Sequence, residues 1–308
     1  MPRFPSSTPS ISAIPSTVYS PLAHRLAHHE GERFPFHVGD TWMEPPEGCR
    51  MEDLSTAENP GMHRYPPVNG VPALVDALCA RSEERHGVPT TAENVLVTAG
   101  ATAGLGSIAM AVVAPGDEVL LLAPYWPLIA GIVRCVQGVP VPVPLFHAGA
   151  PSPEQVTEAL AAALTERTVA VYLNTPNNPT GHVMPRDVVA AVVRFAEQHD
   201  LWIWADDVYE DLQFEGEHVP TRALCPDRTF SCHSFSKQAG MAGNRVGWIA
   251  GPKVGMDEVR KAALYTLYSA PTASQLAAAR TLGEAGRSWA ADARVQYAHT
   301  AKEVAALL

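Results

Sequence analysis

A lysine in this chain lies close in sequence to two groups that can hold a phosphate. Lys237 ends the segment Ser234-Phe235-Ser236-Lys237, and Arg245 follows it by eight residues. A lysine amine can form a Schiff base with an aldehyde, and a guanidinium can bind two phosphate oxygens at once. The spacing therefore predicts a cofactor that is both an aldehyde and a phosphate ester, and pyridoxal phosphate is such a cofactor.

The elements that must position these groups alternate between short apolar strands and helices. This alternation predicts an α/β fold with a mostly parallel central sheet and helices on both faces. The predicted strands are residues 95–98, 118–123, 139–143, 169–174, 201–205, 229–233 and 246–250. The predicted helices are residues 70–86, 101–113, 153–164 and 185–199. Such sheets bind ligands beyond the carboxyl ends of their strands, so the residues after each strand are candidates for a site.

Chemically apt residues follow four of the predicted strands. Gly100 to Thr102 open a helix whose free N–H groups and positive dipole end favour a phosphate. Asn178 lies in a loop rich in proline and asparagine after the fourth strand, and Asp206 directly follows the fifth. Ser234 and Lys237 come after the sixth strand. We therefore expect these side chains to meet at one edge of the sheet.

Composition and charge exclude several classes of function. The chain has 308 residues, of which 46% are hydrophobic and 18% charged, a typical globular balance. Its net charge of -10 and its lack of a dense Lys/Arg run argue against a nucleic-acid partner. The longest apolar stretch, residues 108–122, is interrupted at residues 115–118 and is too short to span a membrane. Five cysteines without a CxxC spacing favour a reducing compartment, so we expect the cytoplasm.

Two rival interpretations have weaker support. Residues 104–109 fit the G-x-G-x-x-A form of a dinucleotide-binding fingerprint, but the acidic residue expected about twenty positions later is absent. Those glycines also fall inside a predicted helix and not at the turn before it. A metal site formed by Cys225, Cys232 and His233 lacks both a suitable spacing and a second ligand pair. We expect neither a nicotinamide cofactor nor a metal.

Three ordered motifs resemble the class I/II aminotransferases of pyridoxal-phosphate fold type I. The motifs are residues 174–181 (NTPNNPTG), 205–210 (ADDVYE) and 234–237 (SFSK). Four further segments match the same family pattern, namely residues 65–70, 98–102, 115–119 and 124–127. The resemblance extends from about Phe36 to about Gln275.

The resemblance implies a catalytic role for each of several side chains. Lys237 would hold the cofactor and shuttle the proton between the substrate α-carbon and the cofactor. Asp206 would pair with the pyridine nitrogen and keep it protonated, while the adjacent Asp207 is the weaker candidate for this role. Tyr209 and Asn178 would donate hydrogen bonds to the phenolate oxygen of the ring. Taken singly, Tyr209 could equally be a core residue and Asn178 a turn residue.

The resemblance also implies a set of groups for the phosphate and the ring. The phosphate ligands would be the backbone amides of Gly100 and Ala101, the hydroxyls of Thr102 and Ser234, and the guanidinium of Arg245. Trp126 would stack on the cofactor ring, although a tryptophan after a strand is more often part of the core. Tyr65 would reach the phosphate of a neighbouring subunit, so a homodimer with shared sites is expected. Gly39 matches a glycine that lies near the substrate.

Three parts of the chain are expected from the resemblance. Residues 1–40 would be an N-terminal arm, residues 41–290 the large cofactor-binding domain, and residues 291–308 the start of a helix that links to a small domain. Most of that small domain is expected to be missing, together with the arginine that grips the substrate α-carboxylate. Arg280, Arg287 and Arg294 lie too early in the chain to match the motif of that arginine.

The expected activity is transfer of an amino group between an amino acid and a 2-oxo acid. Two alternatives stay open at this point. The same cofactor site serves lyases, decarboxylases and cyclases, because the ring stabilises any carbanion. The chain could also be a truncated homologue that binds the cofactor with little or no activity.

Overall fold

Seven strands form the central sheet in the part of the chain that the computed structural model describes, which comprises residues 6–16, 25, 28–32, 39–145 and 151–307. The strands are β1 (Val95–Thr98), β2 (Glu118–Ala123), β3 (Val139–Pro144), β4 (Thr168–Asn174), β5 (Trp202–Asp206), β6 (Thr229–Ser234) and β7 (Gly247–Ala250). They lie in the order β1-β7-β6-β5-β4-β2-β3. β7 is antiparallel to both β1 and β6, and the other neighbouring pairs are parallel. The predicted mostly parallel sheet is therefore confirmed.

Helices cover both faces of this sheet. Those of seven or more residues are α2 (Pro72–His86), α3 (Gly100–Val112), α4 (Leu128–Cys135), α5 (Pro153–Ala163), α6 (Arg186–Gln198), α9 (Lys253–Thr266), α10 (Thr272–Thr281) and α11 (Glu284–Leu307). Three single-turn helices, α1 (Pro9–Ser12), α7 (Thr221–Leu224) and α8 (Phe235–Gln238), complete the series. Two 3₁₀ turns lie at Met51–Asp53 and Ala242–Asn244.

Strand β4 shows how side-chain alternation divides the core into two layers. Ala170 and Tyr172 point to the face that α3, α4 and α9 cover, whereas Val171 and Leu173 point to the face that α5 and α6 cover. Helices α2 and α10 cover the same second face beside β1 and β7. Each apolar side chain fully buried in this way contributes about 1.5–3 kcal/mol to folding. Burial on both faces explains why the strands read as nearly continuous apolar runs.

The observed strand ends bring the polar residues of two motifs into the sheet. β5 ends at Asp206, one residue later than predicted, because Asp206 pairs in register with Asn174 of β4. β6 likewise extends to Ser234, which pairs with Gly247 of β7. Asp206 and Ser234 are thus held in place by the strand pairing of the sheet.

Three of the longer helices, α4, α9 and α10, were not predicted from the sequence, and neither were the single-turn helices α1, α7 and α8. Helix α11 begins at Glu284, ahead of the linking helix expected to start at residue 291, and runs to the end of the described chain. The division of the chain at residues 40 and 290 stays a prediction, and much of the predicted arm lies outside the described residues. Within the described ranges, none of the helices has the length and apolar character that crossing a membrane requires.

Candidate cofactor site

A cavity of about 250 Å³ lies at the carboxyl edge of the parallel strands. Residues from several separate segments of the chain meet there, as expected for a parallel sheet. The lining includes the predicted residues Ala101, Thr102, Trp126, Asn178, Asp206, Tyr209, Ser234, Lys237 and Arg245, together with Gly39. The proposed lysine and ring-nitrogen partner therefore share one cavity with the proposed phosphate ligands Ala101, Thr102, Ser234 and Arg245, whereas Gly100 is not part of its lining.

Lys237 is carried into this cavity by α8, the single helical turn that follows β6. The oxygen of Ser234 accepts a hydrogen bond of 3.1 Å from the amide of Ser236 and so caps this turn. Lys237 Nζ donates to the carbonyl oxygen of Gly39. Burial and the nearby Arg245 lower the pKa of Lys237, against an opposing effect of Asp40. A lowered pKa favours the neutral amine, which is the nucleophilic form.

Asp206 is buried at the end of β5 and faces the same cavity. Its Oδ2 accepts a hydrogen bond of 2.7 Å from the hydroxyl of Tyr172, and its backbone carbonyl accepts one of 2.8 Å from Asn174. Burial raises the pKa of Asp206 to about 6, although the Tyr172 bond works in the opposite direction. The carboxylate is thus firmly oriented and is ionised at neutral pH.

Tyr209 and Asn178 contact each other within the cavity. Asn178 Nδ2 donates a hydrogen bond of 3.1 Å to the Tyr209 hydroxyl oxygen, and the Asn178 amide donates one of 2.6 Å to Asn174 Oδ1. Burial, reinforced by the charge of Asp206, raises the pKa of Tyr209. The Tyr209 hydroxyl therefore stays protonated and can donate a hydrogen bond to an oxygen on a ligand.

Arg245 and the first turn of α3 form the cationic part of the cavity. Arg245 adopts a left-handed backbone with φ of 53° and donates a bond of 2.8 Å from Nη1 to the carbonyl oxygen of Ala242. Gly100 also has a positive φ, 76°, and a Cβ placed there would lie 2.5 Å from Arg245 Nη2. Only glycine leaves room for the guanidinium beside the helix N-terminus. The arrangement suits an anion.

Tyr65 lies away from the cavity of its own chain. Its side chain is 84% exposed and packs edge-on against Tyr268 with ring centroids 5.0 Å apart. Asp207 also turns away, because its Oδ1 lies 3.1 Å from Nε2 of the buried His218. Between the two adjacent acids, therefore, Asp206 is the one that lines the cavity.

A buried ionic cluster lies behind the motif that carries Asp206. Glu210 Oε1 lies 2.9 Å from Arg81 Nη2 and 3.1 Å from His233 Nδ1, and Arg81 also contacts Asp211 at 2.7 Å. Burial alone would raise the pKa of Glu210, but His233 and Arg81 outweigh it and hold that pKa well below its ordinary value. The cluster ties helix α2 to the ends of β5 and β6.

Reasoning from the sequence missed several residues of the site. Asn174, Ser236, Val208 and Ala242 also line the cavity, and Tyr172 contacts Asp206 from behind. A signal for Asn174 and Tyr172 was present, because residues two apart in a strand point to the same face. Their strand pairs with the one that ends at Asp206. Without that strand pairing, neither an asparagine nor a tyrosine at these positions indicates a contact with Asp206.

The donor set of the cavity fits pyridoxal phosphate. A buried carboxylate suits a ring nitrogen, a half-buried tryptophan offers an aromatic face, and a lysine amine of lowered pKa suits an aldehyde. The guanidinium of Arg245, the hydroxyls and the free amides of α3 suit a phosphate. Such an arrangement on a mostly parallel sheet is typical of pyridoxal-phosphate-dependent enzymes of fold type I.

Comparison with known proteins agrees with this class. The model of the family "Aminotransferase class I and II" matches residues 38–308, so the chain belongs to that family. It is 34% identical over 264 residues to an aspartate/prephenate aminotransferase of Thermus thermophilus, and this match covers 84% of the chain and 67% of the relative. An arginine–pyruvate transaminase of Pseudomonas aeruginosa is 36% identical, with 80% of the chain and 62% of the relative covered.

Solved structures give the same result for the fold. Aspartate aminotransferase from Thermus thermophilus with maleate superimposes with a TM-score of 0.88 at 30% identity, covering 96% of this chain and 78% of that one. N-Succinyldiaminopimelate aminotransferase from Mycobacterium tuberculosis gives a TM-score of 0.81 at 31% identity, covering 87% and 70%. The chain spans 62% to 67% of the length of three curated aminotransferases and transaminases that it matches.

Proposed function

We propose that this chain carries the cofactor-binding part of an aminotransferase that moves an amino group between an amino acid and a 2-oxo acid. The observation that carries the proposal is the meeting of Lys237, Asp206 and Arg245 in one cavity. The relatives named above are all aminotransferases or transaminases, which favours this reaction over the lyase, decarboxylase and cyclase alternatives.

The residues that would hold pyridoxal phosphate follow from their chemistry. Arg245, Ser234, Thr102 and the first amides of α3 would bind the phosphate, and Trp126 would cover one face of the ring. Asp206 would bind the ring nitrogen, and Tyr209 with Asn178 would bind the ring oxygen. When bound, the cofactor supplies an electron sink for the negative charge that develops at the substrate α-carbon.

Lys237 would move the proton in this reaction. Its Nζ lines the cavity, and burial lowers its pKa, which favours the neutral amine that would accept the α-proton at Nζ. The same nitrogen would then deliver that proton to the cofactor, and in the reverse direction it would return the proton to the α-carbon.

Assembly and location form part of the same proposal. A homodimer would allow Tyr65, which is exposed on its own chain, to reach the phosphate in a neighbouring subunit. The five cysteines are all unpaired, with Cys225 and Cys232 buried, which is typical of a protein of the cytoplasm.

Replacement of Lys237 tests the function directly. Wild-type protein reconstituted with pyridoxal phosphate should show the visible absorbance of a lysine-bound cofactor, and borohydride reduction followed by peptide mapping should locate the covalent bond at Lys237. Lys237→Ala should lose both signals, and amino-group transfer should fall by at least about a hundredfold.

Lys261→Ala provides the matched control, because Lys261 is an exposed lysine of α9 whose ion pair is with the exposed Glu258. This variant should keep the absorbance, the covalent bond and the transfer rate. Reduction that attaches the cofactor to another lysine, or an unchanged absorbance in Lys237→Ala, would overturn the assignment.

A further inference from the structure

Tyr172 is a buried residue of β4 that no step of the proposed reaction uses. Its side chain is fully buried in the core layer beneath α3, and it does not line the cofactor cavity. Its hydroxyl nevertheless reaches the edge of the site, where it donates a hydrogen bond of 2.7 Å to Oδ2 of Asp206. A phenylalanine would fill the same core volume, so the hydroxyl needs its own explanation.

Within the described residues, the Asp206 carboxylate accepts two hydrogen bonds, and the one from Tyr172 is the shorter. The other is a longer bond of 3.4 Å from the amide of Val208 to Oδ1. Strand pairing fixes the geometry, because Asn174, two residues after Tyr172, lies directly opposite Asp206 and bonds its backbone carbonyl. The tyrosine therefore approaches the carboxylate from a rigid, neighbouring strand.

We propose that Tyr172 is a positioning residue that fixes the orientation and the negative charge of Asp206 toward the ring nitrogen of the cofactor. This inference rests on the proposed function of the cavity. Tyr172 touches neither cofactor nor substrate in this role and acts entirely through Asp206.

The electrostatic surroundings of Asp206 explain why such a residue is needed. Burial raises the pKa of Asp206, and the adjacent Asp207 adds to this effect, while His233 on the neighbouring strand opposes it. Cys232 and Tyr209 also face the carboxylate, and both have pKa values raised by burial, so they stay neutral. Among the effects that lower the pKa of Asp206, the hydrogen bond from Tyr172 is the largest. Without it, a larger fraction of Asp206 would be protonated at neutral pH.

Titration of the cofactor-free protein gives a first test that needs no catalysis. With ¹³Cγ-labelled aspartate, the Asp206 signal, assigned by its absence in Asp206→Asn, should titrate near pH 6 in the wild type. In Tyr172→Phe its midpoint should move upward by about one pH unit or more, the size expected for a hydrogen bond to a charged group. Tyr265→Phe, which removes an exposed hydroxyl from α9, should leave the midpoint unchanged.

A double-mutant cycle on the reconstituted protein tests whether the effect passes through Asp206. Tyr172→Phe should slow amino-group transfer at pH 7 by about ten- to a hundredfold and should shift the ¹⁵N signal of labelled pyridoxal phosphate toward the unprotonated ring. In an Asp206→Asn background the same substitution should change neither quantity, because the partner of the hydroxyl is already neutral.

The outcomes separate this inference from the proposed function. An Asp206 midpoint unchanged in Tyr172→Phe, or equal effects of the substitution in both backgrounds, would show that Tyr172 only packs the core. Failure of the wild type to bind the cofactor would overturn the function itself. If Tyr172→Phe does not fold, 3-fluorotyrosine at position 172 keeps the volume and strengthens the donor, and it should move the Asp206 midpoint downward.

Discussion

The position of the Asp206 carboxylate suits the proposed contact with the ring nitrogen, but its burial lowers the stability of the folded chain. Its pKa rises from 3.8 to about 6 on burial, so the folded chain binds a proton more tightly than the unfolded chain does. Above pH 6 the ionised, buried carboxylate therefore destabilises the fold. Below about pH 4 both states are protonated and the destabilisation disappears.

We expect Asp206→Asn to stabilise the cofactor-free protein at pH 8. The gain in the free energy of unfolding should reach about 3 kcal/mol, since the two pKa values differ by about two pH units at about 1.4 kcal/mol each. Asparagine keeps an oxygen that can accept the Tyr172 bond. Urea unfolding at pH 8, 6 and 4 measures the gain, which should shrink as the pH falls through 6. An equal effect from Glu166→Gln, which removes an exposed charge, would contradict this explanation.

The sequence predicted the individual residues of the cavity better than it predicted the buried residues that contact them from behind. Lys237, Asn178 and Arg245 lie in compact motifs whose residue types match the chemistry, and all three line the cavity. Tyr172 and Arg81 were not singled out, because their contacts with Asp206 and Glu210 join residues far apart in the chain. Contacts of this kind depend on strand order and helix docking, which a residue pattern does not contain.

Among the elements, the loop after β5 is held to the sheet by one buried pair. His218 Nε2 lies 3.1 Å from Asp207 Oδ1. Burial lowers the pKa of His218, but the hydrogen bond and charge of Asp207, helped by Glu210 and opposed by Arg85, outweigh burial and raise it. The pair thus connects the loop at residues 212–218 with the strand end that carries Asp206.

The stability that His218 contributes should depend on pH. Because its folded-state pKa is raised, the contribution is fully present below the ordinary value of 6.5 and is lost as the pH rises through the folded-state pKa. His218→Gln should therefore destabilise the protein by about 1 kcal/mol at pH 6 and by clearly less at pH 9. Urea unfolding across this range is the measurement, with His299→Gln on the exposed face of α11 as the control. A loss of stability that does not vary with pH would rule out the ionic contribution.

Strands were more predictable than helices in this protein. Apolar runs bounded by proline, glycine or polar residues located all seven strands to within a residue at either end. Helices α4 and α9 were missed, because the first is short and follows Pro127 and the second carries a mixture of charged and apolar residues. Both pack against the core layer of β4, and this tertiary burial stabilises helices that local sequence favours only weakly.

For the whole molecule, the exposed Tyr65 is the strongest indication of an assembly. Tyr65 lies outside the cavity of its own chain and packs against Tyr268, and Tyr265, three residues before Tyr268 in the chain, is 87% exposed. Aromatic side chains exposed together often mark a protein interface. A second copy that buries this region would bring Tyr65 to the proposed phosphate ligands across the interface.

Hybrid dimers test this sharing of sites. Tyr65→Ala and Lys237→Ala should each bind the cofactor poorly or without a covalent bond. After subunit exchange, a dimer with one protomer of each kind has one intact site, which combines Lys237 of the first with Tyr65 of the second. An equal mixture should therefore regain about one quarter of the wild-type sites, since about half of randomly paired dimers are hybrids. No regain on mixing, or normal binding by Tyr65→Ala alone, would exclude a shared site.

The buried cluster around Glu210 has a consequence for how the molecule opens. Arg81 belongs to α2, Glu210 follows β5, and His233 belongs to β6. Arg81 and Glu210 are 129 residues apart in the chain. Pulling the segment that carries Glu210 away from Arg81 and His233 would leave buried charge without its partners, which costs about 3–5 kcal/mol. Fraying at this edge is therefore suppressed, and the three segments unfold as one cooperative unit. Amide protons there should exchange together, with the cofactor cavity either wholly assembled or wholly lost.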